Sequence, residues 1–386
     1  MLYRVYNLLG AELFLSSTSV MEGGIKMTEM RALWVARWDI TSPEACTRMI
    51  ETAIDNKFNT VIVQVRGRGD AFYKSNYEPR SEDLAEQSPD FDPLAQILKE
   101  GHENGLQVHA WINANLTWGS NKPPVSPNHI VNSHPDWLMR TDKNELVMTF
   151  GEDVEGAYTC PSNEEWREMY KNIYLDVVRN YEVDGVHFDF IRYPSARFCY
   201  CDRCVGQFEA LMNEEISAEK RAELCGDPDR RLAYTRAFPD KWDEFRRSHI
   251  TAMVYKVYDA VKQVKPEVMV SASVFPDFSD AYNHRFQDWK RWMRDKKLDM
   301  LCPMAYTTDT DTFTNQIKDA VDSSGGIPVC AGIGVWRISS ESCIEKIEKE
   351  RALGGAGFSL FSYSITNGGS DATYLKALRD KLFPGE

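Results

Sequence analysis

The chain has no run of Lys and Arg, no apolar stretch of the ~18 to 20 residues that a membrane span requires, and no small-scaffold cysteine spacing. Each absence removes a class of function. With 45 basic against 58 acidic residues, the net charge is −13. Sequence-independent phosphate binding needs a positive footprint, so this balance argues against nucleic acid as a partner. No G-x-G-x-x-G follows either of the first two apolar runs, which argues against a dinucleotide fold. Gly332 and Gly334 in "AGIGVW" lack the third glycine and read as close packing. Neither H-E-x-x-H nor H-x-H occurs, so catalysis is expected to need no metal.

Nine cysteines, an odd number, are scattered among apolar runs such as "DMLCPMAY" and "IPVCAGIG". They read as small buried hydrophobes in a reducing compartment. The opening segment "MLYRVYNLLGAELFLSSTSVMEGG" weakly suggests a signal peptide, but Glu12 interrupts its apolar part. Residues 1–29 are therefore expected to be an extension outside the fold. A cytoplasmic location is favoured over export.

From Met30 the chain repeats one pattern, a short apolar run followed by an amphipathic stretch, with Gly, Pro, Asn or Asp at the joints. The runs are "RALWVAR", "NTVIVQVR", "LQVHAWIN", "VDGVHFDFI", "EVMVSASVF", "LDMLCPMAY", "IPVCAGIGV" and "GAGFSLFSY". Eight alternations of strand and helix predict an α/β fold, a closed (β/α)8 TIM barrel over residues 30–386. Ser42, Pro43 and Glu44 form a helix start in the joint after strand one. Two joints are far too long for simple connections, at about 114–160 after strand three and about 195–238 after strand four. Both fall on the side where barrel enzymes build their sites.

Strand periodicity assigns faces. Val61, Val63 and Val65 face the helices, which turns Gln64 and Arg66 inward. Val108, Ala110 and Ile112 do the same, leaving His109, Trp111 and Asn113 inside. Val186, Phe188 and Phe190 leave His187 and Asp189 inside. One buried histidine alone reads as a hydrogen-bonded core residue. Polar groups converging from three neighbouring strands read as an active site, because burying them unpaired costs several kcal/mol. Asp189 stands out at the end of strand four, with Arg192 and Tyr193 just beyond. Its bland alternative is an ion pair with Arg66 or Arg192 that closes the barrel.

Trp34, Trp38, Trp111, Trp118, Trp336, Tyr306 and Tyr363 fall at or beyond strand ends. Sugar rings present C–H faces that pack on aromatic planes, so this inventory favours a saccharide cleft.

Over Arg31 to Pro194 the chain resembles the glycosyl-hydrolase-like family 10 proteins, TIM-barrel relatives of the glycosidases. The resemblance rests on "RALWV", "FNTVIVQVRGRGDAFYKS", "FDPLAQILKEGHENGLQVHAWIN" and "VDGVHFDFIRYP". It implies hydrolysis of bacterial or plant glycans, with cell-wall glycan strands as one substrate. Strand four is also similar to the chitinase motif D-G-x-D-x-D-x-E through Asp184, Gly185 and Asp189. His187 and Ile191 replace its middle Asp and its acid Glu. "PMAYTTD" is similar to the M-x-Y-D of those barrels through Met304 and Tyr306, with Thr307 in place of the Asp.

Ordinary glycoside hydrolysis uses two carboxylates. Asp189 is expected to be one, and Asp277, or failing that Asp309, the other, although Asp277 reads equally well as the cap of the helix after strand five; Asp39, Glu152 and Asp153 are further candidates. Gln64, Arg66, His109, Trp111, Asn113, His187, Arg192, Tyr306, Trp336 and Tyr363 are expected to bind the sugar. A carbohydrate-binding barrel without turnover is the alternative, supported by the missing strand-four Glu. A third reading, a metal-dependent amide or ester hydrolase, would show chelator-sensitive activity. In "FCYCDRCVGQF", Cys199, Cys201 and Cys204 have ligand spacing, and with Cys225 they are expected to hold a structural zinc.

Overall fold

The computed structural model describes residues 28–364 and 373–385. Most of the expected N-terminal extension, residues 1–27, lies outside the described residues. Glu29 already belongs to the fold, since its carboxylate meets Arg351 Nε and Nη2 at 2.6 and 3.0 Å.

Eight parallel strands form the barrel: β1 (Met30–Val35), β2 (Thr60–Arg66), β3 (Gln107–Asn113), β6 (Gly185–Asp189), β7 (Met269–Val274), β8 (Met300–Pro303), β9 (Cys330–Gly334) and β10 (Gly357–Phe361). Hydrogen bonding runs continuously from β8 through β7, β6, β3, β2 and β1 to β10 and β9. Single bridges Leu301 to Val329 and Met304 to Gly332 close the ring between β8 and β9.

The expected helix start is present in α1 (Pro43–Asp55), where Ser42 Oγ accepts from Ala45 N–H at 3.2 Å. Helix α2 (Pro93–Glu103) follows β2. Both long excursions carry structure of their own. The first holds a two-stranded antiparallel sheet, β4 (Leu116–Trp118) with β5 (Ala157–Tyr158), and the short α3 (Ile130–Ser133), before α4 (Glu164–Asn180). The second holds α5 (Asp202–Asn213), α6 (Ala218–Cys225) and α7 (Ala233–Ala237), before the 26-residue α8 (Pro239–Val264). Beyond β7 come α9 (Phe278–Asn283) and α10 (Trp289–Arg294). Then α11 (Thr310–Asp322) follows β8, α12 (Ser340–Ala352) follows β9, and Tyr374–Leu382 forms the final helix.

The barrel interior is a small core of its own, with Met30, Ala32, Trp34, Ile62, Trp111, Met300, Cys302 and Cys330. Val61, Val63, Val108, Ala110, Ile112, Val186 and Phe188 belong instead to the larger core under the helices, as their alternation predicts. Gly332 is needed because a Cβ there would lie 2.7 Å from the Pro303 carbonyl and 3.0 Å from the Trp34 ring. There the large Trp34 indole packs against a residue with no side chain.

Two facing assignments are corrected. Strand pairing skips Val65, so Gln64 pairs with Trp111 but Arg66 pairs with Ile112. That bulge turns Arg66 out of the barrel into full burial, with its guanidinium carbon 5.4 Å from the Trp166 ring on α4. There it forms a two-pronged ion pair with Glu78, Nε to Oε2 at 2.7 Å and Nη2 to Oε1 at 2.8 Å. Phe190, expected to face the helices, has φ +50°. The strand alternation ends at Asp189, and the left-handed turn brings Phe190 onto a cavity wall.

Removing one partner of a buried ion pair leaves the other charge uncompensated. Glu78→Gln is therefore expected to lower unfolding free energy by about 3–5 kcal/mol, read from urea denaturation midpoints against wild type.

Candidate active site

The barrel is closed below and open above, at the C-terminal ends of its strands. A cavity of about 520 Å³ sits there, within the range of small-ligand sites. Every barrel strand except β9 contributes to it, from the strand itself or from the residues just past its end. The aromatic part of the wall is Trp34, Trp38, Trp111, Phe190, Phe275, Tyr306 and Phe361; the polar part includes Gln64, Asn113, Asp189, Arg192 and Gln316. Tyr306 ties the aromatic wall together, standing perpendicular to Trp34 at 6.3 Å and lying 5.6 Å from Phe361. Trp336 packs on Tyr306 at 5.1 Å from outside the cavity. Tyr363 is buried and also lies off the wall.

Among the described residues, Asp189 is the one acidic side chain on this wall. Its Oδ1 accepts from its neighbour Phe190 N–H at 2.6 Å. Burial pushes its carboxyl up to about 6, against the pull of the Arg192 charge, the Phe190 N–H and the Trp111 indole, while Glu155 adds to the rise. The Trp111 N–H also donates to Asn113 Oδ1 at 2.7 Å, and Asn113 Nδ2 donates to the Gly67 carbonyl at 2.7 Å. These bonds lock three strand ends into one polar rim.

Arg192 is buried beside Asp189, with Nη2 on Glu155 Oε1 at 2.8 Å. Its Nε and Nη1 have no partner among the described residues, and neither does Gln316 Oε1. Buried polar atoms left unpaired on a cavity wall are sites for ligand groups. Glu155 was not foreseen. It lies in the first excursion, in no periodic segment, and nothing in its local sequence marks it. Burial alone would raise its carboxyl, but the Arg192 charge and hydrogen bond, with the Tyr158 hydroxyl at 2.5 Å, hold it below the usual range. Glu155 is a fixed anion that anchors Arg192.

The two histidines lie under the cavity, off its wall. His187 is sealed between Ser271 Oγ at 2.8 Å and Ser273 Oγ at 2.7 Å. Burial, then the neighbouring His109, lowers it to about 3. His109 is lowered by burial to about 4 and packs where Gly185 leaves room; a Cβ there would lie 2.6 Å from its ring. Both imidazoles are neutral floor residues. Arg66 is likewise absent from the wall.

Neither expected partner carboxylate faces the cavity. Asp277 is exposed and caps α9, its Oδ1 accepting from Asp280 N–H at 2.8 Å. Asp309 is exposed and caps α11, accepting from Thr312 N–H at 2.7 Å. Asp153 is committed to Ser195 at 2.9 Å and to Arg197, and Glu152 is exposed. Asp39 sits in a short turn next to Trp38, its carboxyl raised by burial to about 6, against a hydrogen bond from Ser364.

Of the four cysteines expected to act together, three are brought to one place and the fourth is not. Cys199, Cys201 and Cys204 cluster with Cys160, not with Cys225, which is exposed at the end of α6. Folding of the first excursion against the second supplies the fourth thiol, 39 residues before Cys199 in the chain.

With the geometry in place, comparisons with known proteins give the family. The sequence profile of glycosyl hydrolase-like 10 matches residues 29–335. The chain belongs to that family. Glycosyl hydrolase YngK of Bacillus subtilis is 24% identical over 348 residues, covering 79% of this chain and 61% of its own. Glycosyl hydrolase DigH of Escherichia coli K12 is 26% identical over 323 residues, covering 72% and 65%. The chain thus spans somewhat under two thirds of the curated relatives it matches. In fold it is similar to the glycoside hydrolase domain of PgaB (BpsB) from Bordetella bronchiseptica, with TM-score 0.66, 14% identity, and coverage of 92% of this chain and 98% of that one. A β-galactosidase from Marinomonas ef1 superposes with TM-score 0.63 at 12% identity, covering 91% and 58%.

The raised Asp189 carboxyl has a consequence for stability. Between about pH 4 and pH 6 the folded chain holds a proton that the unfolded chain has released, so this group makes stability fall as pH rises. Asp189→Asn removes that cost. The variant is expected to exceed wild-type stability by up to roughly 3 kcal/mol at pH 7.5, and to match it near pH 4, measured by denaturant titration at both pH values.

Proposed function

We propose that the protein hydrolyses glycosidic bonds in an oligosaccharide or polysaccharide, with Asp189 as the essential carboxylate. The observation that carries this reading is the position of Asp189, the one acid among the described residues of a wall of indole and phenol rings, beside an arginine with unpaired donors. Membership of a glycosyl hydrolase-like family supports it, as do fold relatives that include a β-galactosidase.

The chemistry follows from the surroundings. The aromatic faces pack against the C–H faces of sugar rings. Arg192 Nε and Nη1, Gln316 Oε1 and the Asn113–Gln64 rim supply partners for hydroxyls. As the bond from the anomeric carbon to the leaving oxygen breaks, positive charge grows on the ring, and an ionised Asp189 stabilises it. Water supplies hydroxide to that carbon and a proton to the leaving oxygen. Glu155 is unsuited to donate this proton, because Arg192 and Tyr158 hold it ionised. Cell-wall glycan is the substrate class to examine first, from the resemblance noted in the sequence.

A second reading has one specific observation behind it. Two-carboxylate hydrolysis needs a second acid at the cavity, and among the described residues the wall carries only Asp189. A barrel that binds saccharide without cleaving it would have this composition.

Digestion of a glycan panel with product analysis decides between them. Wild type is expected to release products, with activity falling as pH drops below about 6 and Asp189 protonates. Asp189→Asn is expected to keep the wild-type circular dichroism and lose about 10³-fold or more in turnover. Near-full activity in that variant removes Asp189 from the chemistry. Saccharide binding with no product across the panel favours the binding barrel.

A further inference from the structure

Outside the cavity, the densest group of reactive side chains among the described residues is the thiol cluster where the two excursions meet. Cys160, Cys199, Cys201 and Cys204 are all buried, and their sulfurs lie within 4.8 Å of one another. Cys160 Sγ is 3.3 Å from Cys204 Sγ and 3.8 Å from Cys201 Sγ. A disulfide brings its two sulfurs to about 2.0 Å, and all four thiols are free. A tetrahedral zinc with Zn–S bonds of ~2.3 Å separates its sulfurs by about 3.8 Å. The observed spacing is that of four ligands around a single ion, and it leaves no room for a multi-iron cluster.

We infer that these four cysteines hold one structural Zn²⁺ that joins the first excursion to the second. The donor set is soft and four-fold, with no position left for water, which suits a closed structural site and not a catalytic one. Binding replaces four S–H bonds with four Zn–S bonds and releases four protons to solvent. The surroundings accommodate the charge that results. Cys201 is the N-cap of α5 and Cys204 lies in its first turn, where the helix end is positive. Cys201 N–H donates to Cys199 Sγ at 3.4 Å. The buried Arg246 donates to the carbonyls of Ala196 and Phe198, at 2.6 Å each, just ahead of the first ligand of the second excursion.

The location gives the ion its consequence. Cys160 follows β5, whose Tyr158 holds Glu155, and Cys199 lies seven residues past Arg192. Glu155 and Arg192 form an ion pair that links the first excursion to the root of the second beside the cavity. The ion would fasten those two segments a few residues away from that pair.

The test does not depend on any enzymatic activity. The full chain, purified without chelator from zinc-containing medium, is expected to carry one zinc by plasma mass spectrometry. Replacing zinc with Co²⁺ is expected to yield intense visible bands and the thiolate-to-metal absorption of a tetrahedral four-sulfur site. Cys225→Ser should keep the full complement, whereas Cys160→Ser should lose most of it. Stripping with chelator should lower the melting temperature and speed tryptic cleavage within residues 195–238. Cys160→Ser could misfold, so the wild-type metal content stands alone as a criterion. Natively folded chain with no zinc, with iron in its place, or with disulfides among these four cysteines would overturn the inference. Unchanged melting and cleavage after stripping would overturn the structural role.

Discussion

The Arg66 guanidinium sits at the junction on which the upper end of the barrel depends. Two of its nitrogens hold Glu78 from the loop after β2, and the third donates to the Asn113 and Ala114 carbonyls, at 2.5 and 3.1 Å, where β3 leaves the barrel. From that point the bonds continue across the rim. Ala114 N–H donates to the Asp189 carbonyl at 2.6 Å, and Asn115 Nδ2 to the Arg192 carbonyl at 3.2 Å. A buried ion pair contributes little net stability, because desolvating both charges offsets their attraction. What it contributes here is position: the exits of β2, β3 and β6 take one arrangement, and the side chains of Asn113, Asp189 and Arg192 follow from it.

Within that frame the interior divides by height. The lower layers carry no charge, with Trp34 against Gly332 and two neutral imidazoles, His187 held between two serine hydroxyls. The upper layer carries the charge. Asp189 is raised by its burial yet surrounded by groups that favour its ionised form, so it titrates close to physiological pH. Its neighbour Glu155 is acidic because Arg192 and Tyr158 grip it. Two carboxylates a short distance apart thus have opposite tendencies, set by what faces each of them.

The long excursions are walls, not decorations. Leu116 from the first and Phe190 and Arg192 at the root of the second line the cavity. Such segments have no sheet to hold them and must find their own restraints. Here these include the β4–β5 pairing, the Glu155–Arg192 bridge and the cysteine cluster.

The alternation of apolar runs and amphipathic stretches, by itself, determined the barrel, its strands, the inward set on β3 and the two oversized joints, because burial on a pleated strand repeats every two residues. It likewise placed Asp189 at the rim and three of the four clustered thiols. It failed where local geometry interrupts the period, since the bulge at Val65 and the left-handed turn at Phe190 reverse the facing of Arg66 and Phe190 and leave no mark on hydrophobicity. It also failed for groups defined by distant contacts. Asp277 and Asp309 sit at strand ends like catalytic acids, but each caps the helix that follows. Glu155 and Cys160 acquire their partners only when one loop folds against another, and sequence spacing carries no record of that encounter.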